Sequence, residues 1–151
     1  MLASWSSYDW RTILELSRDE VGIQAVLDGA DTHSLNQAFF NLPDRLIAKI
    51  YLFRTIFNRG NGYAFTKDPN FMHVSTSVKF WDNIGEKFYT KYKRIDELYD
   101  TYLALIGAGK PIIGPLGREW LIPLDTDFKG DLKLPVTKSV NYPVNFSGLM
   151  E

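Results

Sequence analysis

Apolar residues recur at steps of three and four over most of the first two thirds of the chain, and this spacing predicts a run of helices. Asp9 to Ser17 reads as a short helix with Trp10, Ile13, Leu14 and Leu16 on its apolar side. Residues 1–8 before it read as the tail of a strand or a turn. Asp19 is a cap for a second helix through Leu27, stopped by Asp28-Gly29. Thr32 or His33 opens a third, running to about Phe40. Leu42-Pro43-Asp44 starts a fourth, with Pro43 in its first turn, where a missing N–H costs nothing. It runs to about Phe57, and Asn58 to Gly62 break it.

Residues 63–75 read as irregular, with a turn at Asp68-Pro69. A helix from Ser77 to Tyr92, capped by Ser75 or Thr76, carries Val78, Trp81, Ile84, Phe88 and Tyr92 on one side. Another spans about Ile95 to Ile106 and stops at Gly107-Ala-Gly109. The pattern then changes. Residues 111–114 and 119–122 read as two short strands around Pro115-Leu-Gly117. Residues 125–132 read as a polar loop, and Lys133 to Tyr142 as extended. The fold class expected is α+β: mostly helical, with short strands toward the C-terminal side.

One helix stands apart. Arg45, Lys49, Phe53 and Phe57 lie at steps of four. Each step turns the helix by about 400° and advances it about 6 Å, so the four form one slowly winding stripe. Two cations followed by two rings suit a nucleoside triphosphate: cations bind phosphates, and a ring stacks on a base. The bland alternative is a solvated cationic face above two core rings.

Composition narrows the classes. The chain has 151 residues, a length that suits one domain or part of a larger protein, and its 45% hydrophobic and 23% charged content is ordinary for a globular protein. Aromatic content is 15%, which serves either a core or base stacking. A net charge of −1 argues against a free-standing, high-affinity nucleic-acid binder. Two local basic clusters remain: Arg45, Lys49, Arg54 and Arg59, and Lys87, Lys91, Lys93 and Arg94. There is no cysteine and only two histidines, which excludes disulfides, thiolate zinc sites, a cysteine nucleophile and a histidine-rich metal site. No apolar run approaches membrane-spanning length and no signal peptide is recognisable, so the expected setting is cytoplasmic.

Five segments in order resemble the motifs of the family A DNA polymerases, bacterial DNA polymerase I and its phage relatives, and most of all the phage replicative enzymes. Arg45, Lys49 and Phe53 match the family's fingers helix, with Phe57 where Tyr is usual and Asn58 where Gly is usual. Tyr8 to Arg11 with Glu15-Leu16-Ser17 resembles the first palm motif, with Asp9 in the place of its Glu and Arg11 in that of its Arg. Gly29-Ala-Asp31-Thr-His33-Ser34 resembles Gly-x-Asp-Ile-His-Thr, and Gly114 to Arg118 resembles Thr-x-x-Gly-Arg. Asn141-Tyr-Pro143-Val144-Asn145 resembles Asn-x-Pro-Val-Gln-Gly. The likeness spans nearly the whole chain.

The resemblance implies roles. Arg45, Lys49 and His33 would contact the triphosphate of an incoming dNTP, and Lys49 would also protonate the leaving pyrophosphate as a catalytic acid. Phe53 would pack against the sugar and base of the dNTP, and Phe57 would sit near the templating base pair, without the usual Tyr hydroxyl. Asp9 would be a steric gate against a ribose 2′-hydroxyl, one methylene shorter than the usual Glu. Arg11, Arg118, Asn141 and Asn145 would face primer–template DNA. It also implies a division: residues 1–24 as partial palm, 25–108 as fingers with the dNTP-binding helix at about 43–57, and 109–151 as a hairpin returning to the palm.

Family A polymerases need two Mg²⁺ ions held by two palm aspartates. The first aspartate falls at position 4, where Ser4 stands, and the motif carrying the second lies beyond Glu151. The expectation is therefore a polymerase fragment without a metal site of its own. It would be inactive alone and completed by the missing palm and thumb, in host cytoplasm if phage-encoded. Two other classes are open: a catalytically dead nucleotide- or nucleic-acid-binding module, including a polymerase-docking regulator, and a purely structural helical domain.

Overall fold

The computed structural model describes residues 5–59, 62–114, 116–135, 139 and 143. Among them are seven helices: α1 (Trp5–Ser17), α2 (Glu20–Leu27), α3 (Thr32–Phe40), α4 (Arg45–Asn58), α5 (Gly62–Lys67), α6 (Val78–Lys91) and α7 (Lys93–Gly107). Four short strands follow: β1 (Ile112–Ile113), β2 (Glu119–Trp120), β3 (Asp125–Thr126) and β4 (Leu132–Lys133). The class is α+β, with its antiparallel strands on the C-terminal side. The chain divides into two compact units, one of residues 19–93 and one of residues 1–18 with 94–151.

Short polar side chains start four of the helices. Asp19, Asp31, Asp44 and Ser77 each accept a hydrogen bond from an N–H in the first turn of α2, α3, α4 and α6. Such caps satisfy donors that the helix itself leaves open. Left-handed residues stop the helices: Gly29 after α2, Asn41 after α3, Arg59 after α4 and Gly109 near the end of α7. At α3 the reversal is closed by Leu42 N donating to the Gln37 carbonyl at 2.9 Å. Pro43 lies before the α4 cap rather than in the first turn, because Asp44 takes the cap position itself.

The unit of residues 19–93 is built on aromatic rings. Tyr51 from α4 stacks on Trp81 from α6 at 6.0 Å, and Phe65 from α5 stacks on Trp81 at 5.2 Å. Phe71 meets both Phe65 and Trp81 edge-on, at 4.9 and 5.3 Å. Phe40 and Phe88 extend the cluster toward Tyr92. The Trp81 indole N–H, fully buried, donates to the Ser75 carbonyl at 2.9 Å. Much of the chain's aromatic content thus serves as core.

α5 falls in a segment expected to be irregular. Its sequence is short and begins with glycine, so no apolar period is visible. It forms because Phe65 has Trp81 and Phe71 to pack on, and because Gly62 lets α5 approach α6: a Cβ there would collide with the Asp82 carboxylate. Residues 5–8, expected as a strand tail or turn, belong to α1.

In the other unit, β1 pairs antiparallel with β2, Ile112 opposite Trp120 and Ile113 opposite Glu119. Gly114 N donates to the Arg118 carbonyl at 2.7 Å, and Gly117 turns with φ +85°. A Cβ on Gly114 would lie 2.6 and 2.7 Å from Trp120 ring carbons, inside ordinary packing distance. Gly114→Ala is therefore expected to displace the indole and cost about 1–3 kcal/mol, an overpacking penalty. Thermal melting followed by tryptophan fluorescence checks it.

The expected loop at 125–132 is a second hairpin, β3 with β4, Asp125 opposite Lys133. Asp127 explains the difference. Its carboxylate accepts from Lys129 N at 2.8 Å and Asp131 N at 2.9 Å, closing a tight turn out of residues that read as loop. Ser139, expected as extended, is helical, its N–H donating to the Pro135 carbonyl at 3.0 Å. No helix among the described residues is long and apolar enough to cross a membrane.

Candidate phosphate-binding site on helices α3 and α4

α4 divides its side chains by face. Ala48, Tyr51, Leu52, Thr55 and Ile56 are buried, and their spacing is that of a core-facing stripe. Arg45 is exposed, and Lys49 and Phe53 are half-buried. The stripe therefore lies off the core face as far as Phe53. The side chain of Phe57 lies outside the described residues.

α3 packs beside α4 and brings its N-terminus to the cationic end of the stripe. Asp31 caps α3, accepting from His33 N at 3.2 Å and from the Ser34 hydroxyl at 2.8 Å. The same carboxylate receives the Arg45 fork: Nε donates to Oδ2 at 2.8 Å and Nη2 to Oδ1 at 3.1 Å. The pair is bidentate, yet both side chains remain about half exposed, at 51% and 47%. The guanidinium holds the Asp31 carboxyl well below the usual carboxylate range.

His33 is buried, with 6% of its surface exposed, and its Nδ1 has no hydrogen-bond partner among the described residues. Burial lowers its pKa most. The charge of Arg45 lowers it further, Asp31 opposes this, and Lys49 adds to the lowering. His33, Arg45 and Lys49 thus share one electrostatic neighbourhood, although they come from two helices. Lys49 has no ion-pair partner among the described residues.

Folded, His33 binds a proton less readily than at its ordinary 6.5. Between that value and the lowered folded one, the unfolded chain holds more protons, so stability falls as pH drops through this window. Melting temperature is expected to decline from pH 7 toward pH 5, and His33→Asn is expected to remove part of that decline. Parallel melts of the two proteins across the range check the sign.

The neighbouring basic residues serve as ties. Arg54 pairs with Asp68 at 2.9 Å, joining α4 to the turn after α5. At the end of α6, Lys91 Nζ and the Tyr92 hydroxyl both donate to Asn36 Oδ1, at 3.2 and 2.9 Å. Asn36 is buried, so this contact fastens α3 to α6 from the inside. Burial lowers the Lys91 pKa and pushes the Tyr92 phenol up to about 12.

The other expected site residues belong to the second unit. Asp9 lies on α1, its carboxyl pKa raised by partial burial, and Arg11 is exposed on the same helix. Arg118 is exposed at the β1–β2 turn. Ser4, Asn141 and Asn145 lie outside the described residues. Asp31 is the residue whose role spacing did not reveal. It stands two positions before His33 and fourteen before Arg45, so its grip on Arg45 depends on α3 folding back along α4. No family model, no curated protein and no solved structure matches the chain.

Proposed function

We propose that the α3–α4 surface binds the triphosphate of a dNTP, as part of a template-directed DNA polymerase of the family A kind. The observation that carries this reading is the packing of α3 on α4, where Asp31, two residues before His33, holds Arg45, one turn before Lys49; the charges of Arg45 and Lys49 both act on the His33 imidazole. His33, Arg45 and Lys49 are the residues that the motif resemblance assigns to the triphosphate. Phe53 lies half-buried further along the stripe, at the position that the motif resemblance assigns to the sugar and base. The site is cationic where phosphates are needed and becomes aromatic one turn on.

The role proposed is binding and orientation rather than turnover by this chain. Ser4 stands where the family motif has a metal-binding aspartate, and a neutral hydroxyl is a poor substitute for a carboxylate on a hard cation. The Mg²⁺ chemistry of such a polymerase would be supplied by palm carboxylates outside α3 and α4. Exposed Ile113, Leu116, Leu121 and Leu132 support packing of the C-terminal hairpins on further polymerase structure.

Titration calorimetry with dATP and dAMP tests the reading. Binding of dATP is expected to be saturable and to weaken with added salt. Binding of dAMP is expected to be weaker by about tenfold or more, since one phosphate cannot span both cations. Equal affinity for the two nucleotides contradicts a triphosphate site.

A further inference from the structure

The Arg45 fork is already occupied. Asp31 satisfies it in a bidentate geometry, within a carboxylate that also caps α3 and accepts from Ser34. A phosphate approaching Arg45 meets an anion in the place it would take. Yet the pair is about half exposed on both sides, and exposed ion pairs are held weakly and are easily exchanged.

We propose that Asp31 is an internal placeholder for phosphate: it holds Arg45 in the unliganded chain and surrenders the fork when a polyphosphate binds. This deepens the triphosphate reading and rests on it. The exchange follows from the donors and acceptors present. Asp31 keeps two partners when Arg45 leaves, the His33 N–H and the Ser34 hydroxyl, so its carboxylate is not stranded. Arg45 gains a phosphate, which accepts the same bidentate fork. Lys49 and the Arg45 end of α4 give a polyphosphate two cationic contacts. A single carboxylate or monophosphate offers Arg45 little more than Asp31 does.

The placeholder also fixes where Arg45 waits. A free arginine loses side-chain freedom on binding, whereas this one is already ordered one hydrogen-bond exchange from its ligand position. Asp31 therefore lowers affinity by competition while holding the guanidinium near the site.

A double-mutant cycle on the full chain, read by titration with sodium tripolyphosphate, tests the exchange. Asp31→Asn keeps the α3 cap, since asparagine caps as well as aspartate. It is expected to tighten tripolyphosphate binding by about two- to fivefold, the range of an exposed ion pair removed from competition. The gain is expected to vanish when Arg45→Ala is added. A gain that survives Arg45→Ala reflects only the lost negative charge and overturns the placeholder. Unchanged or weaker binding by Asp31→Asn also overturns it and makes Asp31 a support for Arg45. In that case the triphosphate reading stands provided Lys49→Ala still weakens wild-type binding. Absence of tripolyphosphate binding by every variant overturns both. Circular dichroism of each variant accompanies the titrations, and Asp31→Ser supplies a second capping replacement if Asp31→Asn is poorly folded.

Discussion

Trp81→Ala is expected to destabilise the unit of residues 19–93 by about 3–5 kcal/mol, the usual cost of emptying a large buried aromatic site. Trp81 is fully buried and in ring contact with Tyr51, Phe65 and Phe71. These rings come from α4, α5 and the turn after α5, so no single element can collapse to fill the space. The substitution also leaves the Ser75 carbonyl without its indole donor. Whole domains are stable by only about 5–15 kcal/mol, so this loss is a large part of the total. Trp81→Phe keeps much of the ring volume and is expected to cost clearly less. Urea denaturation followed by circular dichroism measures both. A cost below about 1 kcal/mol for Trp81→Ala would mean that the aromatic cluster is not the core described above.

The loss reaches the candidate site through α4. Tyr51 anchors the buried face of that helix on Trp81, and Lys49 and Phe53 are its near neighbours in sequence on the other side. A loosened α4 no longer holds the cationic end of the stripe against α3. Trp81→Ala is therefore expected to weaken triphosphate binding even where the chain remains folded.

Lys49→Ala carries the second large effect, on binding instead of stability. Its amine has no ion-pair partner among the described residues, so removal should change folding by less than about 0.5 kcal/mol. A charge-assisted hydrogen bond to phosphate contributes about 1.5–3 kcal/mol, which corresponds to about 10- to 100-fold in affinity. Calorimetric titration with dATP should show that loss while the melting temperature stays in place. Arg45→Ala is expected to cost less, because the wild-type arginine must first leave Asp31. The order of these two losses follows from the ion pair and is not apparent in the stripe itself. A larger loss for Arg45→Ala than for Lys49→Ala would argue against the competition by Asp31.

The helices with apolar periods and short polar caps were legible in the sequence because both signals are local. Asp19 caps α2 as its position suggests, and Gly29 and Gly109 stand where a helix reverses; α6 is capped by Ser77 rather than by Ser75 or Thr76, and α4 by Asp44 with Pro43 left outside its first turn. α5 was hidden because its stability comes from Trp81 and Phe71, which are distant in sequence or lie in a turn. The β3–β4 hairpin was hidden because its turn is closed by the Asp127 side chain, in a stretch whose composition reads as loop. At the site, Arg45, Lys49 and Phe53 followed from helical spacing, and His33 from its motif. Spacing could not reveal that Asp31 takes the Arg45 fork, since that contact exists only once α3 and α4 are packed.

The imidazole of His33 is the natural reporter for a bound triphosphate, since it is buried and feels the charge of the two cations that would grip the ligand. Arg45 and Lys49 now hold its pKa down, after burial. A bound triphosphate offsets their charge, so the His33 pKa is expected to rise when dATP saturates the chain, with proton uptake in slightly acidic buffer. Nuclear magnetic resonance of the histidine ring, titrated with pH in the presence and absence of dATP, measures this. His73 is exposed and in the same unit, and serves as the internal reference. An upward shift is expected for His33 that exceeds any change at His73 and that requires about 10- to 100-fold more dATP in Lys49→Ala. A His33 titration unchanged by saturating dATP, or one that moves at the same dATP concentrations in Lys49→Ala as in the wild type, would contradict a triphosphate site on α3 and α4.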